Sequence, residues 1–93
     1  LRYIILCDDE LPFLFVGQRS QQQEILFLCE NSRLQKRLSR RGAKCRSGKL
    51  RTSAVYQRMK ICPTDRIGIF IREGKARDEI LQAVLEHTDV YAI

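Results

Sequence analysis

Three consecutive carboxylates, Asp8, Asp9 and Glu10, follow the apolar run Arg2-Tyr3-Ile4-Ile5-Leu6-Cys7. A fourth acid, Glu30, ends a second apolar run, Ile25-Leu26-Phe27-Leu28-Cys29, and lies 21 residues beyond Asp9. Adjacent carboxylates are hard oxygen donors of the kind that divalent cations take. Neighbouring residues at a helix start point in different directions, however, so helix capping by Asp8 or Asp9 is the favoured reading. Four cysteines, Cys7, Cys29, Cys45 and Cys62, are spaced by 22, 16 and 17 residues, and there is one histidine, His87. That spacing makes no zinc constellation, and three of the four lie in or beside strand-like runs, where free cysteine acts as a small buried hydrophobe. His87 closes a helix, where the dipole favours a cation, and no nucleophile or acid is expected beside it. No catalytic residue and no metal site are therefore expected.

The elements that would position these groups alternate along the chain. Residues 2–7 read as a strand buried on both faces, the signature of a parallel sheet. A helix over 10–22 follows, tolerating Pro12 in its first turn and carrying Gly17 at a cost of about 1 kcal/mol relative to alanine. After the strand at 25–29, Ser32-Arg33-Leu34-Gln35 reads as a capping box, with Leu34 and Leu38 on one helical face and Gly42 as left-handed terminator. Residues 43–46 form a short polar strand whose composition suits a sheet edge. Thr52 or Ser53 opens the next helix, with Val55 and Met59 inward, and Pro63 bars its continuation. A strand over 66–71 leads through Gly74 into a helix over 75–87 striped by Ile80, Leu81, Val84 and Leu85, and Val90-Tyr91-Ala92-Ile93 is a last strand. The order β-α-β-α-β-α-β-α-β predicts one α/β Rossmann-like domain over residues 1–93. Its parallel sheet would have about five strands in the order 3-2-1-4-5, with helices on both faces.

Ligands of such sheets bind over the carboxyl ends of the strands, where strand order reverses. The first strand should feed a Gly-x-Gly-x-x-Gly turn that lets a pyrophosphate approach a helix N-terminus, and an acid about 20 residues on should meet the ribose. Glu30 suits that role, and its competing reading is a helix-entry acid. The turn does not match: Cys7-Asp8-Asp9-Glu10-Leu11-Pro12 has no glycine, Pro12 lacks an amide donor, and three carboxylates repel phosphate. At 4 Å and an effective dielectric of 20, each repulsion reaches about 4 kcal/mol before screening.

Phe27-Leu28-Cys29-Glu30-Asn31, the passage from Leu34 to Gly42-Ala43, the turn Gly48-Lys49 with Ser53-Ala54-Val55 and Met59-Lys60-Ile61, and the run from Asp65 to Ile71 stand in a familiar order. In that order the chain resembles, over essentially its whole length, the TrkA-N or RCK (regulator of K+ conductance) family. These are Rossmann-like NAD-binding regulatory domains of potassium channels and transporters, found also at the front of some DHH-type phosphoesterases. The resemblance implies cofactor-binding positions at Asp8, Asp9, Glu30, Asn31, Gly48, Lys49, Leu50 and Arg72. Lys49 departs from the family, which usually has an acid there. With the phosphate turn degenerate, no cofactor is expected, and NAD or another adenine nucleotide is the alternative.

Charge divides the chain in two. From Asn31 to Thr64 there are eleven basic residues and no acid, while the remainder holds six basic and eleven acidic residues. Such asymmetry suits an anionic partner or an acidic surface of a parent protein. The leading expectation is a non-enzymatic regulatory or interaction domain, cytoplasmic, and part of a longer protein linked to potassium transport or to a DHH phosphoesterase. Its partners would be copies of itself or other domains of that parent. The second reading is weak binding of AMP, ADP or NAD through Glu30, the Gly48-Lys49-Leu50 turn and the Arg72-Glu73-Gly74 loop. The third, least favoured for want of an aromatic platform beyond Tyr56, is nucleic-acid binding through the basic 33–60 segment. No apolar run reaches the length of a membrane span, so no direct membrane insertion is expected.

Overall fold

The computed structural model describes residues 2–16, 24–62 and 64–87. In chain order these form β1 (Arg2–Cys7), α1 (Leu11–Val16), β2 (Glu24–Cys29), α2 (Ser32–Arg40), β3 (Lys44–Ser47), α3 (Ser53–Met59), β4 (Arg66–Phe70) and α4 (Gly74–His87). The strands make one parallel sheet in the order β3-β2-β1-β4, a Rossmann-like α/β arrangement. Among the described residues the sheet has four strands. The fifth, expected at 90–93, lies outside them, as do Gly17, the expected end of the first helix at Gln22, and Pro63.

The apolar runs of β1 and β2 become strands covered on both faces, while β4 packs chiefly through Ile67 on one. Ile4 and Leu6 of β1, Leu28 of β2 and Ile67 of β4 pack with Val55, Tyr56 and Met59 of α3 and with Ile80 and Val84 of α4. Ile5 and Cys7, Phe27 and Cys29, and Cys45 of β3 face the other way, onto Leu34 and Leu38 of α2 and Phe13 of α1. Phe13 meets Phe27 edge to face at 5.7 Å. Each fully buried aliphatic side chain contributes about 1.5–3 kcal/mol. Cys7, Cys29 and Cys45 are buried, as the strand reading requires, and Cys62 is exposed; all four are free thiols.

Helix boundaries follow local chemistry, with two corrections. The cap of α2 is Asn31, one residue before the expected Ser32: Asn31 Oδ1 accepts from the amides of Arg33 (2.8 Å) and Leu34 (3.3 Å). Gln35, expected to complete a capping box, instead donates to Ser39 Oγ and to the Cys45 carbonyl, tying α2 to β3. Asparagine accepts as well as serine does, and once Asn31 serves, Gln35 is free to reach the strand. The other end is as expected: Gly42 has φ +91°, its amide reaches Ser39 O, and Ala43 N reaches Leu38 O, a Schellman closure.

In α4 the second correction concerns the stripe. Ile80 and Val84 are buried with Ala76 and Ala83, but Leu85 is 53% exposed. Positions 76, 80, 83 and 84 share one helical face, and residue 85 lies about 100° further round. α3 stops at Met59, where Lys60 turns left-handed at φ 51°.

At the amino ends of the strands, Arg2 Nη2 donates to Asp65 Oδ2 at 2.6 Å and the Cys62 amide donates to the same oxygen at 2.9 Å. Asp65 is buried. Its burial raises the carboxyl pKa, but the bonds from Arg2 and the Cys62 amide prevail and hold it below the usual range.

Candidate functional site: the carboxyl ends of the strands

β1 pairs with β2 on one side and β4 on the other, so strand order reverses beside β1. The crevice that such a sheet offers to ligands opens here. It holds a cleft of about 280 Å³ whose polar lining is Asp8, Glu30, Asn31, Arg51 and Glu73. Three of these are acids and one is a cation.

Each charged group has a partner within the chain. Asp8 Oδ2 accepts from the Arg72 amide at 2.9 Å, joining the exit of β1 to that of β4. Asp9 Oδ1 accepts from the Leu11 amide at 2.9 Å, in the turn that leads into α1, and its Oδ2 meets Arg72 Nε at 2.9 Å. Glu10 lies 3.5 Å from Arg41; its Oε2 is enclosed without a hydrogen bond, so that contact is coulombic alone. Arg51 is shared between Glu30 (3.7 Å) and Glu79 (3.1 Å).

The amino end of α4, where a phosphate would seek amides, is occupied too. Glu73 accepts from Ala76 N at 2.7 Å and Lys75 N at 2.9 Å, and those two amides hold its carboxyl below the usual carboxylate range.

The eight sequence-derived candidates separate. Asp8, Glu30, Asn31 and Leu50 meet at the cleft. Leu50 is fully buried in the core, and its carbonyl accepts from Tyr56 Oη at 2.5 Å. Asn31 spends its side-chain oxygen on the cap of α2. Asp9 and Arg72 line a neighbouring groove of about 500 Å³, largely apolar, with Leu11, Phe15 and Phe70. Gly48 and Lys49 line neither. A Cβ on Gly48 would stand 3.1 Å from Val55, so this glycine serves the approach of the chain to α3. The Lys49 carbonyl accepts from Thr52 Oγ1 at 2.8 Å, and its side chain is exposed.

Sequence reasoning missed Arg51. It was one basic residue among eleven, and its partner Glu79 lies 28 positions away; no local signal joins them.

Chemically the cleft is poor ground for a phosphate. Three carboxylates face it, the cation is spoken for, and the helix amides are taken. Cys7 also lines it, but burial pushes its thiol up to about 12, so at neutral pH it is protonated and not a nucleophile. Among the described residues no three His, Cys, Asp or Glu side chains are grouped to hold a metal ion, and no helix is long and apolar enough to cross a membrane. Comparison with protein-family models gives no match, and comparison with curated proteins gives none either.

Proposed function

We propose that the chain is a non-enzymatic regulatory or interaction domain on the TrkA-N (RCK) plan, in which internal ion pairs have replaced the dinucleotide. The observation that carries this reading is the set of contacts across the strand ends: Asp8 and Asp9 on Arg72, Arg51 between Glu30 and Glu79, and Glu73 on the first amides of α4. Every group that would meet a pyrophosphate or a ribose has a partner from the chain itself. The domain then acts through contacts with a second copy or with other domains of a parent protein. A cytoplasmic potassium transporter subunit or DHH-type phosphoesterase is the parent that the resemblance suggests.

Thermal unfolding with NAD, NADH, ATP, ADP or AMP tests the reading. A ligand present at 100 times its dissociation constant adds about 2.7 kcal/mol, which for a domain of this size raises Tm by about 10 °C or more. The expected result is no shift with any of the five. Stabilisation by AMP alone would favour the mononucleotide reading, held by Glu30, the Gly48-Lys49-Leu50 turn and the Arg72-Glu73-Gly74 loop, and would overturn the loss of nucleotide binding.

A further inference from the structure

The basic stretch of the sequence is gathered by the fold around one margin of the sheet. α2 presents Arg33, Lys36, Arg37 and Arg40 outward, and with Arg41 these line a shallow concavity of about 460 Å³ that contains no other residue type. The chain then turns at Gly42 into β3, the outermost strand on this side, whose Lys44 and Arg46 are exposed. Lys44 and Arg46 line a second concavity on the opposite face of the sheet with Arg58 of α3, Arg2 and one acid, Glu24. Cations thus flank the β3 margin on both faces. Among the described residues, Arg33, Lys36, Arg37, Arg40, Lys44 and Arg46 make no ion pair, whereas Arg2, Arg41, Arg51 and Arg72 do.

We infer that this margin, centred on α2, binds the phosphodiester backbone of a nucleic-acid duplex without reading its bases. Arg33 to Arg40 spans about 10 Å of helix, or about three base-pair steps along one strand. A row of cations of that length matches a linear polyanion better than a single small anion. An anionic membrane is the weaker match. Among the described residues the large exposed apolar side chains, Leu11, Leu14, Phe15, Phe70 and Leu85, belong to α1, β4 and α4, so α2 and β3 bring nothing to insert between lipids.

A second copy of this chain is weaker still. Among the described residues, seven acids are engaged in the ion pairs, caps and turns described above, which leaves Glu24, Asp78 and Glu86 there to answer the row. A single strand would want exposed aromatic rings for its bases. Tyr56, the aromatic of the basic segment, is buried, so a duplex, whose base faces are stacked inside and whose phosphates line its outside, is the form that fits.

Fluorescence anisotropy with a labelled RNA duplex and the 93-residue chain tests this. Four phosphate contacts predict an affinity that falls about a hundredfold between about 50 and about 200 mM KCl. Exchange of the α2 cations for glutamine (Arg33→Gln, Lys36→Gln, Arg37→Gln, Arg40→Gln) should weaken binding more than tenfold at the lower salt. These residues are exposed, so circular dichroism and Tm should show the fold retained. Lys75→Gln with Arg77→Gln on α4 removes charge elsewhere and should leave affinity within about twofold, the change expected from net charge alone. Equal losses in the α2 and α4 variants would overturn the site. So would no duplex binding at the lower salt, or binding to phosphatidylserine vesicles without binding to duplex.

Discussion

Arg51 Nε lies 3.7 Å from Glu30 Oε1, so the acid that ends β2 is met by a cation from the loop ahead of α3. Both side chains are more than 40% exposed. Water therefore screens the pair, and exposed pairs contribute about 0–1 kcal/mol. Arg51→Gln should accordingly unfold within about 1 kcal/mol of the parent protein in urea titration. A much larger loss would show that the contact with Glu79 holds α4 in place.

The pair at the other end of the sheet behaves differently. Asp65 is buried and takes bonds from Arg2 and from the Cys62 amide. Asp65→Asn should cost about 2 kcal/mol, the range for hydrogen bonds to a charged group. Because the folded carboxyl sits below its unfolded value, its contribution is complete above the unfolded pKa of about 3.9 and fades as pH falls through the folded value. Urea midpoints of the parent protein measured downward from pH 6 should fall in the acid range more steeply than those of Asp65→Asn. Parallel pH profiles would contradict the assignment.

Asn31 offers a check on which residue caps α2. Asn31→Ala should lose about 1 kcal/mol, or about 4–8 °C in Tm, while Ser32→Ala should lose little. The reverse ranking would restore the capping box that the sequence suggests.

These elements show where sequence reasoning reached and where it stopped. β1 and β2 were legible because strands covered on both faces are apolar at nearly every position, β4 because its run is apolar even though Phe70 stands half exposed, and Gly42 because a left-handed terminator favours one residue type. The choice of Asn31 over Ser32 was not. Both are good caps one position apart, and the decision depends on how the chain leaves β2. The exposure of Leu85 was not legible either, since four apolar residues in a helical stripe do not say which of them lies at its wet border. At the site, the hostile phosphate turn could be read from composition. The self-pairing of Arg51 and Arg72 could not, because it joins residues 21 to 63 positions apart.

Thiol chemistry should separate the cysteines. Cys62 is exposed, while Cys7, Cys29 and Cys45 are enclosed; burial pushes Cys7 up to about 12, and contact with Cys29 together with burial pushes Cys45 up. Ellman's reagent at neutral pH should therefore titrate one thiol quickly in the native protein and the rest only on unfolding. Cys62→Ser should abolish the fast phase. A fast phase that survives in that variant would mean the α2 face of the sheet opens readily.

An outermost strand such as β3 exposes peptide groups that another chain can copy itself onto. Lys44 and Arg46 lie along that strand. A neighbour laying its own β3 alongside would set cation against cation, which opposes pairing. The margin thus selects by sign. It refuses its own likeness along this edge at low ionic strength, and loses that protection as added salt shortens the reach of its charges.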